Sequence, residues 1–178
     1  HLVVSGPEAA IASLESRLAK LGVRSKSLAT SHAFHSRLME PALEPFRHFA
    51  DQVAFHPGRI PLICNMTGKP FTPEAAPDGA YWSQHIREPV RFSDSLATVQ
   101  AMGCEVILEI GPKPVLTPMA AGSWQRSPAG LMSCLEKDAD NAASILRAVG
   151  QLYAHGVTPD FEAIYASSNA RRVILPNY

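Results

Sequence analysis

The sequence predicts an α/β fold with a mainly parallel sheet, from three observations. Short apolar runs alternate along the chain with apolar stripes at helical spacing, the pattern of strands and helices taking turns. Fifteen prolines and eleven glycines punctuate the boundaries of these segments and do not cluster into a linker. The 178 residues are 46% hydrophobic and 18% charged, the composition of a globule. A globule of this size buries roughly 70% of its unfolded surface, so a real core is within reach.

The elements follow in order. Residues 2–4 (LVV) are a short apolar run ended by Ser5-Gly6 and read as a buried strand. Ile11, Leu14, Leu18 and Leu21 repeat at helical spacing. Ser5 or Gly6 caps that helix, Pro7 suits its first turn and Gly22 stops it. Residues 23–28 read as a second strand. This strand–helix–strand unit is too small to stand alone, so it is expected to join a sheet whose other strands precede His1. Residues 31–36 (SHAFHS) form a polar connection. Leu38, Met39, Leu43, Phe46 and Ala50 mark a helix in which Pro41 fits the first turn, while Pro45 predicts a kink or a restart.

Residues 60–64 read as a buried strand, entered through Pro57-Gly58 and left through residues 67–70 (TGKP). Helices are expected at 81–86 and at 92–102, the second stopped by Gly103. A continuous apolar strand follows at 106–110, then a tight turn at 111–114 (GPKP) that reads as a strand-to-helix connection and not a phosphate cradle. A short helix at 115–121, a strand at 130–133 and a helix at 142–153 ended by Gly156 complete the alternation. Residues 161–165 are expected to be extended, and 167–178 to be an extended tail.

Composition excludes several classes. Sixteen Lys+Arg balance sixteen Asp+Glu, so no basic excess argues for nucleic acid or an anionic membrane. No apolar run approaches the roughly 20 residues that cross a bilayer. The opening HLVVSGPEAA has no Met and no signal-peptide pattern, and reads as an internal cut. Cys64, Cys104 and Cys134 are odd in number and far apart, which is neither a disulfide framework nor a metal knuckle. They are expected to be buried free thiols of a reducing compartment, the cytoplasm.

The chemistry-bearing residues are His32 and His35. They admit three readings: polar surface histidines, a general base at the C-terminal end of a strand, or a metal pair. The last lacks a third ligand at usable spacing. No GxSxG, GxGxxG or GxxxxGK[ST] occurs, so a serine served by a histidine base is not on a recognisable elbow in this chain.

Five motifs then occur in one order: LVVSGP at 2–7, SHAFHSRLMEP at 31–41, IPLICNMTGKP at 60–70, YWSQHIREPVRF at 81–92 and LEIGPKPVL at 108–116. Together they resemble the C-terminal half of the acyltransferase domain of a type I polyketide synthase, and the likeness runs through almost the whole chain. The closing RVILPNY at 172–178 resembles the segment after such domains, which runs back across the acyltransferase towards the ketosynthase. These domains are similar to malonyl-CoA:acyl-carrier-protein transacylases. The resemblance implies an α/β-hydrolase-like large subdomain carrying an inserted ferredoxin-like small one. Residues 1–30 would be the remainder of the small subdomain, 31–165 the C-terminal part of the large one, and 166–178 an extended linker.

The resemblance also implies roles. The family's catalytic histidine is the last of the HAFH motif, so the base falls on His35 and not on His32. Its partner is often a main-chain carbonyl, and by its distance before Pro89 the matching residue is His85, acting through its backbone. In the family HAFH accompanies malonyl and YASH methylmalonyl, so His32, Ala33 and Phe34 bear on substrate choice. Phe34 would fill the space an α-methyl needs; plain core packing is its other reading. The family's serine on a GHSxG elbow, its carboxylate-pairing arginine and its oxyanion-hole amides lie in the preceding half, so this chain would carry half an active site.

The implied reaction moves a malonyl-type unit from CoA to the phosphopantetheine thiol of an acyl carrier protein, through an acyl-serine. It needs no bound cofactor; the CoA thioester is the substrate and the carrier thiol the acceptor. Expected partners are the N-terminal acyltransferase half, the acyl carrier protein and a ketosynthase, with no nucleic acid and no membrane. Two rivals remain: a non-catalytic acyltransferase remnant that docks a ketosynthase, and a hydrolase on a related fold.

Overall fold

The computed structural model describes residues 2–72, 74–124, 130–168, 173, 174 and 176. It divides into two compact units, His1–Gly103 and Cys104–Tyr178.

The first unit opens with α1 (Glu8–Lys20), whose apolar stripe is the one the sequence predicts. Gly22 takes a φ of 70°, which suits a residue without a Cβ. There the N–H groups of Gly22 and Val23 close back on the carbonyls of Ala19 (3.1 Å) and Leu18 (2.9 Å). The strands expected at 2–4 and 23–28 do not form: neither run has a ladder partner among the described residues, and Leu2 is 90% exposed. Apolarity foretold burial, but a strand exists only against another backbone. Residues 60–64 fare similarly, with only a bridge between Ile63 and Pro70. That segment is one arm of a turn closed by Cys64 N–H to Lys69 O (2.8 Å) and Phe71 N–H to Leu62 O (2.9 Å).

A 3-10 turn at Arg37–Met39 leads into α2 (Glu40–Ala50), and α3 (Gly79–Arg87) packs on it. Pro45 neither ends nor restarts α2. Its ring removes one ladder bond, and packing against α3 holds the helix on both sides of the gap. Two small residues of α3 allow that approach. The Ser83 hydroxyl donates to the Leu43 carbonyl at 2.9 Å, and a Cβ on Gly79 would collide with the Asp51 carboxylate. Asp78 caps α3 by accepting the Tyr81 N–H at 2.8 Å. The helix α4 (Phe92–Ala101) ends the unit and buries Leu96.

In the second unit β1 (Val106–Glu109) and β2 (Gly130–Ser133) pair in parallel, Val106 opposite Gly130 and Glu109 opposite Ser133. They are joined through α5 (Leu116–Ser123), which packs on both strands, and α6 (Asn141–Ala154) packs on β2. This is the strand–helix–strand alternation the sequence predicts. Residues 161–165 form a helix, α7 (Phe161–Tyr165), where an extended segment was expected. Asp160 decides it by accepting the Ala163 N–H at 2.9 Å, an N-cap the apolar count overlooks. The tail expected from 167 falls largely outside the described residues. All three cysteines are free; Cys64 is buried as expected, while Cys134 is only partly buried and Cys104, just before β1, is exposed, which corrects the expectation for those two thiols.

Candidate active site

The SHAFHS connection is a tight turn fixed at both ends. Ser36 is buried; its hydroxyl donates to the Ala33 carbonyl (2.7 Å) and accepts the Leu38 N–H (3.3 Å), capping the 3-10 turn. Between them His35 has a φ of 61°, the left-handed region that residues with a Cβ seldom occupy. Such a residue costs about 1–3 kcal/mol and persists only where its surroundings hold it.

The C-terminus of α3 supplies that hold. A helix leaves its last carbonyls without partners, and Pro89 brings no N–H to continue the ladder. Glu88, placed before the proline, is extended at φ −80° and ψ 151°, so its carbonyl leaves the helix axis. His35 takes up two of these carbonyls: its backbone N–H donates to Ile86 O (2.9 Å), and its ring Nδ1 meets Glu88 O at 2.7 Å. A carbonyl only accepts, so the proton sits on Nδ1 and Nε2 keeps its lone pair. The side chain is exposed, and that lone pair is what a general base needs.

The carbonyl that orients the ring is therefore Glu88's, which corrects the expected role of the His85 carbonyl. His85 lies one turn earlier, and its side chain makes the contact instead. The two imidazoles meet edge-to-face, centroids 5.6 Å apart at 86°. Behind it, His85 stacks on Tyr81 (5.8 Å, 30°), and its Nε2 is 3.1 Å from the Asn65 amide nitrogen. Burial first, and the facing charge of His35 second, lower the His85 pKa below its ordinary 6.5. Asn65 is fixed by its backbone, donating N–H to the Tyr81 hydroxyl (3.2 Å) and accepting the Arg91 N–H (2.7 Å). Neither Asn65 nor the Glu88 carbonyl stood out in the sequence; the Glu-Pro pair closing a helix was the signal available.

His32, Ala33 and Phe34 lie on the same turn. His32 is exposed, its Nδ1 2.9 Å from the Ser31 hydroxyl, and it packs edge-on against Phe34 at 6.2 Å. Phe34 is 47% exposed, on the turn one residue before His35, and is not packed in a core among the described residues. An open depression of about 350 Å³ flanks the turn, lined by Ser5, Pro7, Ser36, Arg37 and Arg87 among others. Arg87 is paired with Glu40 (3.4 Å) and Glu88 (3.6 Å). Among the described residues no three His, Cys, Asp or Glu side chains converge as a metal would need, and no helix is long and apolar enough to cross a membrane.

A family model for the acyl transferase domain matches residues 1–159. The chain is 40% identical over 178 residues to the phenolphthiocerol synthesis polyketide synthase type I Pks15/1 of Mycobacterium marinum, covering 99% of this chain and 8% of that protein. It is also 40% identical over 177 residues to the putative inactive phenolphthiocerol synthesis polyketide synthase type I Pks1 of Mycobacterium tuberculosis, covering 99% of this chain and 11% of that one. Among solved structures, the acyltransferase domain from the second module of the salinomycin polyketide synthase superposes with a TM-score of 0.85 at 37% identity. That match covers 96% of this chain and 40% of the other. The chain thus spans a small part of its curated relatives' length.

Proposed function

The chain belongs to the acyl transferase domain family, and from that premise we propose that it supplies the general base for acyl transfer in polyketide biosynthesis. The observation that carries this reading is His35, strained at φ 61° and bonded through Nδ1 to the Glu88 carbonyl, with Nε2 open. A serine hydroxyl is a weak nucleophile without such a base. In the proposed reaction His35 Nε2 takes the proton of a serine on a GHSxG turn in the preceding acyltransferase segment. The serine oxygen attacks the thioester carbonyl of malonyl-CoA. The C–S bond breaks, and the imidazolium returns the proton to the CoA thiolate. The phosphopantetheine thiol of an acyl carrier protein then attacks the acyl-serine, with His35 taking and returning a proton again. The Glu88 carbonyl and the negative end of α3 face the ring while it carries the positive charge.

The extender unit is malonyl. The support is the HAFH motif: Phe34, exposed on the turn one residue before His35, would fill the space an α-methyl needs. Supporting the biosynthetic setting, the relatives are multidomain polyketide synthases, so carrier protein and ketosynthase are the proposed partners. The test is transfer of labelled malonyl from CoA to a carrier protein by the protein with its serine-bearing segment present. Formation of malonyl-carrier protein is expected. Absence of transfer from malonyl- and methylmalonyl-CoA alike would contradict the reading and favour the non-catalytic scaffold.

A further inference from the structure

Around His35 the structure presents a side chain that neither the serine-proton step nor the Glu88 carbonyl uses. His85 packs edge-to-face on the base at 5.6 Å, stacks on Tyr81, and has its Nε2 3.1 Å from the Asn65 amide nitrogen. An amide nitrogen only donates, so His85 Nε2 accepts and the ring proton is on Nδ1. A free imidazole has no such constraint. Were His85 protonated, two N–H donors would face each other across that contact. The Asn65 backbone is anchored, its N–H donating to the Tyr81 hydroxyl and its carbonyl accepting from Arg91, which keeps the amide within reach of the ring.

We propose that His85 and Asn65 are positioning residues: the Asn65 amide holds His85 as a neutral Nδ1–H imidazole, and that ring walls the His35 base so that it stays on the Glu88 carbonyl. The inference rests on the proposed reading of His35 as the base. Its logic is electrostatic and geometric together. His35 becomes a cation at each proton transfer, and a neighbour 5.6 Å away that also ionised would oppose this. A lowered pKa at His85, from burial first and from His35 second, agrees with a ring kept uncharged. His35 is exposed on its other side, so without this wall the ring is free to swing off the carbonyl. A misplacement of about 1 Å in a reacting group costs on the order of a hundredfold.

The experiment has two readouts on the full-length protein. The first is ring-nitrogen NMR with labelled histidine, which does not depend on the reaction. His85 is expected as the Nδ1–H tautomer in the wild type, and in Asn65→Leu it should relax to the common Nε2–H form. The second is single-turnover and steady-state acyl loading from malonyl-CoA. His85→Gln keeps a neutral acceptor for Asn65 and should stay within about threefold of wild type. His85→Leu fills the space without an acceptor and should lower kcat about 10- to 100-fold with KM little changed. An Nε2–H tautomer at His85 in the wild type would overturn the proposal. So would a Leu variant that loads at the wild-type rate, or a loss confined to KM. A wild-type protein that loads no acyl group while His85 shows the Nδ1–H tautomer would instead sink the proposed function and leave the held ring standing.

Discussion

His35 was singled out only through the likeness of SHAFHS to a family motif, since the letters alone left surface, base and metal-pair readings open. Its partner was not. A carbonyl has no letter, and which one turns towards the ring depends on where α3 stops; the extended backbone of Glu88 before Pro89 moved the contact three residues past His85. Phe34 allows a prediction at this scale. It lies exposed at the turn, edge-on to His32, so the two rings form one aromatic surface on the turn that carries His35. Replacing both, His32→Tyr with Phe34→Ser, should open room beside C2 of the acyl group. The ratio of kcat/KM for methylmalonyl-CoA over malonyl-CoA should rise about tenfold to a hundredfold, the scale of one methyl-sized contact. An unchanged ratio with normal malonyl loading would mean that Phe34 does not border the acyl group.

Elements held by their own periodicity were legible: α1, α6 and the β1–α5–β2 unit stand where apolar spacing puts them. Those decided by a single polar group or by a distant backbone were not, as α7 and residues 23–28 show. The turn after β1 shows why it is no phosphate cradle. Glu109 already occupies the start of α5, accepting the N–H groups of Val115 (2.9 Å), Leu116 (3.0 Å) and Thr117 (2.9 Å) and the Thr117 hydroxyl (3.0 Å). Burial would raise its pKa; the N–H groups of Leu116, Thr117 and Val115 and the Thr117 hydroxyl outweigh this and lower it below the ordinary 4.5. A lowered folded pKa adds stability that is fully present above the unfolded value and lost as pH falls through the folded one. Glu109→Gln should therefore destabilise the protein by about 1 kcal/mol at neutral pH, read from urea midpoints. The difference should close in acid below the ordinary 4.5. A gap that persists unchanged in acid would contradict the charge-based cap.

At the scale of the whole chain, much apolar surface is left uncovered. Leu2 is 90% exposed, Ile60 79% and Ile110 83%, and no large side chain among the described residues is fully buried. Isolated apolar residues on a surface are ordinary, but runs the sequence marks as strands are not. The chain spans 40% of the similar acyltransferase structure, and periodicity marks a strand without naming the backbone it would pair with. Expressed alone, the chain should bind a hydrophobic dye and melt with low cooperativity; with the complementary acyltransferase segment, dye binding should fall and the melt should sharpen. A sharp melt without dye binding for the chain alone would contradict this.

The central claim is that His35 is the base, and single-turnover formation of the acyl-serine from malonyl-CoA tests it most directly. With the serine-bearing segment present, His35→Ala should slow that step about 10² to 10⁴-fold, the scale of a positioned general base, while His32→Ala costs much less. If His32→Ala produced the larger loss, or His35→Ala loaded at the wild-type rate, His35 would not be the base.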